Sequence, residues 1–167
     1  YTTFEFSVND CEADSVSSYT MTIDVTTVND DPVADNETNT ATEGTTTTVT
    51  DGTSDLLYGD TDTDGDTLEV SGIRTGTESG SGTSGSIGTA LTGTYGSLTI
   101  NSDGTYTYTP NQDFLGNGET GVDYFTYTVS DGNGGTDTGQ ISITVTGVND
   151  APVGVNDSNA IGIATTS

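Results

Sequence analysis

Phe125-Thr-Tyr-Thr-Val-Ser-Asp131, followed by Ile141-Ser-Ile-Thr-Val145, decides the fold of this chain. Phe125, Tyr127 and Val129 alternate with Thr126, Thr128 and Ser130, and Ile141, Ile143 and Val145 alternate with Ser142, Thr144 and Thr146. Successive side chains of a strand point to opposite faces, so a period of two predicts half-buried antiparallel strands with Thr and Ser facing water. Working outward, Leu98 and Ile100 lead through Asn101-Ser-Asp-Gly104 into Tyr106 and Tyr108, and the Asp-Gly pair suits a hairpin turn. The Thr-rich run 45–50, Leu56-Leu-Tyr58 and Leu68-Glu-Val70 read as further strands. No segment carries a helical period. About seven strands predict an all-β fold, an Ig-like antiparallel β-sandwich of two sheets. Residues 72–93, with Thr75-Gly-Thr-Glu-Ser-Gly-Ser-Gly-Thr-Ser-Gly-Ser86, read as a long mobile loop between strands.

The deciding phrases occur twice. Phe4-Glu-Phe-Ser-Val-Asn-Asp10, Met21-Thr-Ile-Asp-Val25 and Val28-Asn-Asp-Asp-Pro-Val33 anticipate the two strands above and Val148-Asn-Asp-Ala-Pro-Val153. The offset of about 120 residues is the size of one sandwich domain, which predicts repeats in tandem. The expected organisation is 1–31 as the last strands of a preceding repeat, 32–149 as a complete repeat and 150–167 as the first strand of a following one. Neither flank can bury a core alone. Either the polypeptide continues in both directions, or the flanks complete identical subunits by strand exchange.

Composition narrows the partners. The formal net charge is −25, from 26 acidic residues against one basic residue, Arg74, with no His and no Trp. Nothing here can neutralise phosphates, which excludes nucleic acid and an anionic membrane surface. A compact fold so charged repels itself unless cations sit among its carboxylates, so a divalent metal is the expected partner. The orderly alternation argues against disorder, which low hydrophobicity and high charge would otherwise suggest. Cys11 is the lone cysteine and permits no disulfide within the chain. Without His, the Ser-His-Asp and Cys-His constellations of hydrolases are out of reach. Paired carboxylates could hydrolyse glycosides, but the acids cluster in turns and linkers, so no enzyme is expected.

The acids are placed for calcium. Asp60-Thr-Asp62-Thr-Asp64-Gly-Asp66 sets four carboxylates at alternate positions around a Gly turn. Such oxygens can converge on one hard cation, and Ca²⁺ takes six to eight. The twelfth position from Asp60 is Ser71 rather than Glu, and no flanking helix is predicted, so this is no EF-hand. Asn29-Asp30-Asp31 before Pro32 is matched by Asn149-Asp150 before Pro152. Acids crowded at a junction repel one another, and a shared Ca²⁺ would turn that repulsion into a stiff joint. A unit-charge pair about 4 Å apart is worth ~4 kcal/mol at an effective dielectric near 20. Tyr106, Tyr108 and Tyr124 are read as core or sheet-surface residues, with a sugar-stacking face as the alternative. Asn36-Glu-Thr38 and Asn156-Asp-Ser158 have the form of N-glycosylation sequons.

Glu43-Gly-Thr, Asp60–Asp66, Tyr95-Gly-Ser-Leu-Thr-Ile-Asn-Ser-Asp-Gly-Thr-Tyr-Thr-Tyr-Thr-Pro110, Phe125–Gly135 and Val148-Asn-Asp-Ala-Pro152, in that order, resemble the bacterial cadherin-like and VCBS repeats of giant surface adhesins in bacteria and archaea. The resemblance implies calcium between successive domains. By motif it implies that Glu43 reaches the junction at the far end of its domain, and that Asp62, Asp64 and Asp131 reach back to the preceding one. Asn29 with Asp30, and Asn149 with Asp150, resemble the linker ligands, and Asp123 is a further candidate. The implied role is a calcium-rigidified repeat of an extracellular adhesin or cell-surface filament. Its partners would be neighbouring repeats or identical subunits, possible surface glycans among them. A carbohydrate- or protein-binding sandwich module is the alternative.

Overall fold

The computed structural model describes residues 2–14, 17–50, 52–112 and 114–149. The segment 150–167, expected as a following first strand, and Asp150 with it lie outside the described residues. The chain divides into two units, Tyr1–Asp30 and Asp31–Ser167.

The first unit contains one hairpin, β1 (Thr2–Phe6) against β2 (Tyr19–Ile23), in a two-stranded antiparallel sheet. The second is a β-sandwich. Its strands are β3 (Glu37–Thr42), β4 (Thr47–Val49), β5 (Glu69–Thr75), β6 (Ser84–Gly85), β7 (Leu91–Thr92), β8 (Gly96–Ile100), β9 (Tyr106–Pro110), β10 (Thr120–Ser130) and β11 (Thr136–Thr146). One sheet runs β3-β11-β10-β5-β6 and the other β4-β9-β8-β7. Among the described residues all strand pairings are antiparallel except one: β3 lies parallel to β11, from Ile141↔Glu37 to Thr146↔Thr42. The chain then passes to the other sheet through a tight connection in which Thr45 N–H donates to the Thr42 carbonyl.

Alternation in the sequence is alternation in burial. Phe125, Tyr127, Val129, Ile141 and Val145 from one sheet and Leu98 and Tyr108 from the other are wholly buried, with their Thr and Ser neighbours on the opposite face, where Thr126 alone is also covered. Burying each such side chain stabilises the fold by ~1.5–3 kcal/mol. Three core tyrosines bring hydroxyls inside, and each finds a partner. Tyr108 Oη donates to Asp123 Oδ2 (2.7 Å) across the two sheets, Tyr106 Oη accepts from Asn39 Nδ2 (2.6 Å), and Tyr127 Oη donates to the Asp35 carbonyl (2.9 Å).

Two expectations are corrected. Leu56-Leu-Tyr58 is a turn, not a strand; it drives Leu56 into the core while Leu56 N–H donates to the Gly104 carbonyl (3.0 Å). Residues 72–93 are no structureless loop. They hold the end of β5 and all of β6 and β7, with Ile73↔Gly85 and Arg74↔Ser84 paired. Arg74 ties the turn by donating to the carbonyls of Thr77 (2.9 Å) and Glu78 (2.7 Å). Gly82 serves close packing: a methyl group there would be driven into the backbone carbonyl of Thr75.

Candidate metal centre

Asp60–Asp66 leaves the Leu56 turn along the entry of the second unit. Val33 and Thr61 pair backbone to backbone in both directions (2.8 and 3.0 Å), which pins the incoming chain against the acidic loop. Asp62 organises that loop: its Oδ1 accepts the N–H groups of Asp64 (2.8 Å) and Asp66 (3.1 Å). The turn brings carboxylate oxygens of Asp62, Asp64 and Asp66 within 4.8 Å of one another. Two oxygens on one Ca²⁺, each at about 2.3–2.6 Å, can stand that far apart. Asp62 Oδ2 and Asp60 Oδ2 are both buried, with no hydrogen-bond partner. A buried oxygen without a donor is costly, and a cation would satisfy it. The donors are all hard carboxylate oxygens, the set that suits calcium rather than a thiolate- or imidazole-seeking metal. The single basic side chain, Arg74, is engaged with carbonyls elsewhere. These residues fit a Ca²⁺ ion.

Asp131 borders the same end. It is 4 % exposed, and its Oδ1 accepts from the N–H groups of Asn133, Gly134 and Gly135 (2.8, 3.0 and 3.0 Å). A Cβ placed on Gly135 would meet carboxylate oxygens of both Asp131 and Asp31, so these two acids converge there. Asn133 Nδ2 donates to Asp66 Oδ2 (2.8 Å), joining the Asp131 loop to the Asp60–Asp66 loop. Asp31, Asp62, Asp64, Asp66 and Asp131 thus gather at one end of the sandwich. Asn29 and Asp30 are exposed residues of the first unit.

Beside this group lies a set the sequence did not reveal. Asp35 N–H donates to Asp60 Oδ1 (2.8 Å), and Ala34 N–H donates to Asp137 Oδ2 (2.9 Å). The carboxyls of Asp60 and Glu37 both meet that of Asp35. Burial is the largest cause in both, pushing Asp60 and Glu37 each up to about 7; for Glu37 the neighbouring Asp35 adds next, and for Asp60 the Asp35 N–H opposes while the Asp35 carboxyl and the Asp137 charge add. Only the alternation Asp35-Asn-Glu37 hinted at this cluster, because Asp60 reaches it through the fold.

Glu43 stands at the other end. It follows β3 and accepts from the N–H groups of Phe114 and Leu115 (both 2.8 Å) and of Val148 (3.4 Å). The Leu115 N–H contributes most to holding its carboxyl below the usual range, with burial opposing and the Phe114 and Val148 N–H groups adding. The eleven residues of β11 separate Thr136, next to the Asp131 loop, from Thr146, whose carbonyl accepts Glu43 N–H. At about 3.3 Å per residue that is roughly 33 Å. Asn149 is exposed at this exit, beyond Glu43. Asp123 is no surface ligand: 3 % exposed, it accepts from the N–H groups of Thr94 (2.7 Å) and Tyr95 and from Tyr108 Oη. Tyr106 and Tyr108 lie in the core, so of the three candidate tyrosines only Tyr124, 41 % exposed, could meet a sugar.

Comparison with known proteins agrees with this architecture. A family model described as a bacterial cadherin-like domain matches residues 29–147. No curated protein matches the chain. One similar solved structure is described as a nucleoside hydrolase-related hypothetical protein from Saccharophagus degradans associated with carbohydrate metabolism. It is 17 % identical, with a TM-score of 0.40, over 71 % of this chain and 26 % of that one. The chain therefore spans about a quarter of that protein's length. No helix among the described residues is long and apolar enough to cross a membrane. A two-sheet sandwich that gathers acids at its entry and matches that family model across both sheets identifies the chain as a member of the bacterial cadherin-like domain family, non-catalytic structural modules of the extracellular adhesion type.

Proposed function

We propose that this chain is a calcium-rigidified structural repeat of an extracellular adhesin or surface filament. Ca²⁺ would be bound at the junctions marked by Asn29-Asp30-Asp31 and Asn149-Asp150. The observation that carries this reading is the convergence of Asp62, Asp64 and Asp66 within 4.8 Å, beside buried carboxylate oxygens with no donor. Asp62, Asp64 and Asp66 would supply the core of the entry site, with Asp31 and Asp131 next to it and Asp60 behind it. Glu43 would serve the exit junction. When bound, the ion supplies charge compensation that a chain with one basic residue lacks. The protein's own part is to fix the loop through the Asp64 and Asp66 N–H bonds to Asp62, and the entry strand through the Val33–Thr61 pair. Millimolar extracellular calcium matches the weak sites of extracellular modules.

The test is a thermal melt with millimolar Ca²⁺ and again with chelator. A calcium-dependent rise in melting temperature, lost on chelation, is the expected result. The same cooperative melt in both conditions would reduce the acids to solvated turns and end the calcium reading.

A further inference from the structure

β10 borders a groove where it loses a neighbour. β5 pairs with β10 from Phe125 to Ser130, and Gly76 N–H adds a last rung by donating to the Tyr124 carbonyl (2.7 Å). Residues 120–123 of β10 thus have β11 on one side and no strand on the other among the described residues. The turn after β7 reaches toward that gap, held by Asp123, whose Oδ1 accepts from Thr94 N–H (2.7 Å). Between the end of β5 and this turn lies a groove of about 390 Å³, within the size range of ligand sites. Thr75, Thr92, Thr94, Val122 and Tyr124 are among its lining residues.

Val122 and Tyr124 lie two residues apart on one face, 37 % and 41 % exposed, and the rest of that face of β10 and β11 is Thr, Ser and Gln. The strand does not require the ring: where the sequence repeats, Phe4 stands for Phe125 and Thr3 for Tyr124. The walls are already set. Thr126 Oγ1 donates to the Gly76 carbonyl (3.0 Å), Asn111 Nδ2 to the Thr94 carbonyl (3.1 Å) and Gly93 N–H to the Gly96 carbonyl (2.7 Å), so a ligand meets a preformed site. The charges favour an uncharged ligand. Arg74, the single base, is turned to the carbonyls of Thr77 and Glu78 and does not line the groove, and a net charge of −25 repels an anion. Asp123, the one acid of the lining, is 3 % exposed and spends its oxygens on Thr94, Tyr95 and Tyr108, which leaves nothing to neutralise a cation.

We propose that this groove binds an uncharged polysaccharide, one pyranose ring lying on Tyr124 and Val122 and its hydroxyls meeting Thr92 and Thr94. A pyranose has a face of C–H groups and a rim of hydroxyls. An aromatic ring beside threonines matches both, since the ring takes the apolar face and each Thr hydroxyl can donate and accept. An extended peptide is the poorer occupant. Backbone groups of an antiparallel strand alternate in direction, so only every second one of residues 120–123 offers its N–H and C=O to the gap, too short a row for strand addition. The site goes beyond the calcium reading and does not rest on it, because none of the residues proposed for Ca²⁺ lines it.

The experiment is NMR titration of the full chain in millimolar Ca²⁺ with uncharged probes: the hexasaccharides of β-1,4-glucose, β-1,3-glucose, α-1,4-glucose and β-1,4-mannose. At least one should bind, with amide shifts centred on Gly76, Thr94 and Val122. Tyr124→Ala should weaken that binding about tenfold or more, whereas Tyr124→Phe, which keeps the ring, should retain it. Thr94→Val, which keeps the shape and removes the hydroxyl, should weaken it too. A thermal melt of each variant checks that the sandwich is intact. Binding by none of the probes, or binding that Tyr124→Ala leaves unchanged, would overturn the proposal. So would shifts at the same amides with an uncharged Thr-Ser peptide and with no sugar, which would make the groove a peptide site. The calcium reading is judged by the response of the melt to chelator, so either can fail without the other.

Discussion

Asp62 has two oxygens with different tasks: Oδ1 holds the turn through two backbone N–H groups, and Oδ2 is buried without a donor. Replacing Asp62 and Asp64 together by Asn keeps an acceptor for the turn but removes two charges from the triad. The double variant should lose most of the calcium-dependent rise in melting temperature while melting in chelator no lower than the parent. Isothermal titration with Ca²⁺ checks the same point directly. Tyr108 is the second informative residue. Tyr108→Phe leaves Asp123 Oδ2 buried without its 2.7 Å hydroxyl partner and should cost ~1–3 kcal/mol in urea denaturation. Cys11 has φ +78, where its counterpart Gly132 has φ +76. The loop shape is kept at the expense of a conformation that suits glycine better, so Cys11→Gly should not destabilise the hairpin loop.

At the scale of elements, the turn at Leu56 and the β5–β6 hairpin are where local reading and packing part. Leu56→Ala should destabilise the sandwich by ~2–5 kcal/mol, as for a core strand position, because the side chain is wholly buried although its backbone is a turn. Gly82→Ala should detach β6 from β5, since the added methyl meets backbone and not a flexible side-chain end. Faster amide exchange at Thr75, whose N–H donates to the Thr83 carbonyl (3.0 Å), would report it. Composition alone does not separate a glycine that loosens a loop from one that lets two backbones touch.

At the scale of the whole molecule, 26 acids and one base make stability a question of pH and cations. Glu37 titrates near 4.5 in an unfolded chain and is pushed up to about 7 by burial and by Asp35, Asp60 and Asp55. The folded state therefore binds the extra proton between those values, and stability falls as pH rises from about 4.5 to about 7. In chelator, the melting temperature should decline across this window, and Glu37→Gln should flatten the decline. An equal slope in the variant would assign the pH dependence to Asp60, which burial raises to about the same value, instead of Glu37.

Much of the sandwich was legible because alternation is a local property of the pleated backbone: apart from Val122 and Tyr124 on the outer face of β10, the apolar residues of β8 to β11 declare their face by their spacing. β3 was not legible, since Glu37-Thr-Asn-Thr-Ala-Thr42 carries only Ala41 toward the core and becomes a strand by pairing with β11. The acid spacing of Asp60–Asp66 could likewise be read directly, because the turn that gathers Asp62, Asp64 and Asp66 is made within those residues. The approach of Asp35 and Glu37 to Asp60 and the joining of Asn133 to Asp66 were decided only by tertiary structure. Sequence by itself determined the pleat, the repeat and the charge. Which distant carboxylates face one another depends on cross-strand register and sheet packing, and these act between residues that local spacing does not relate.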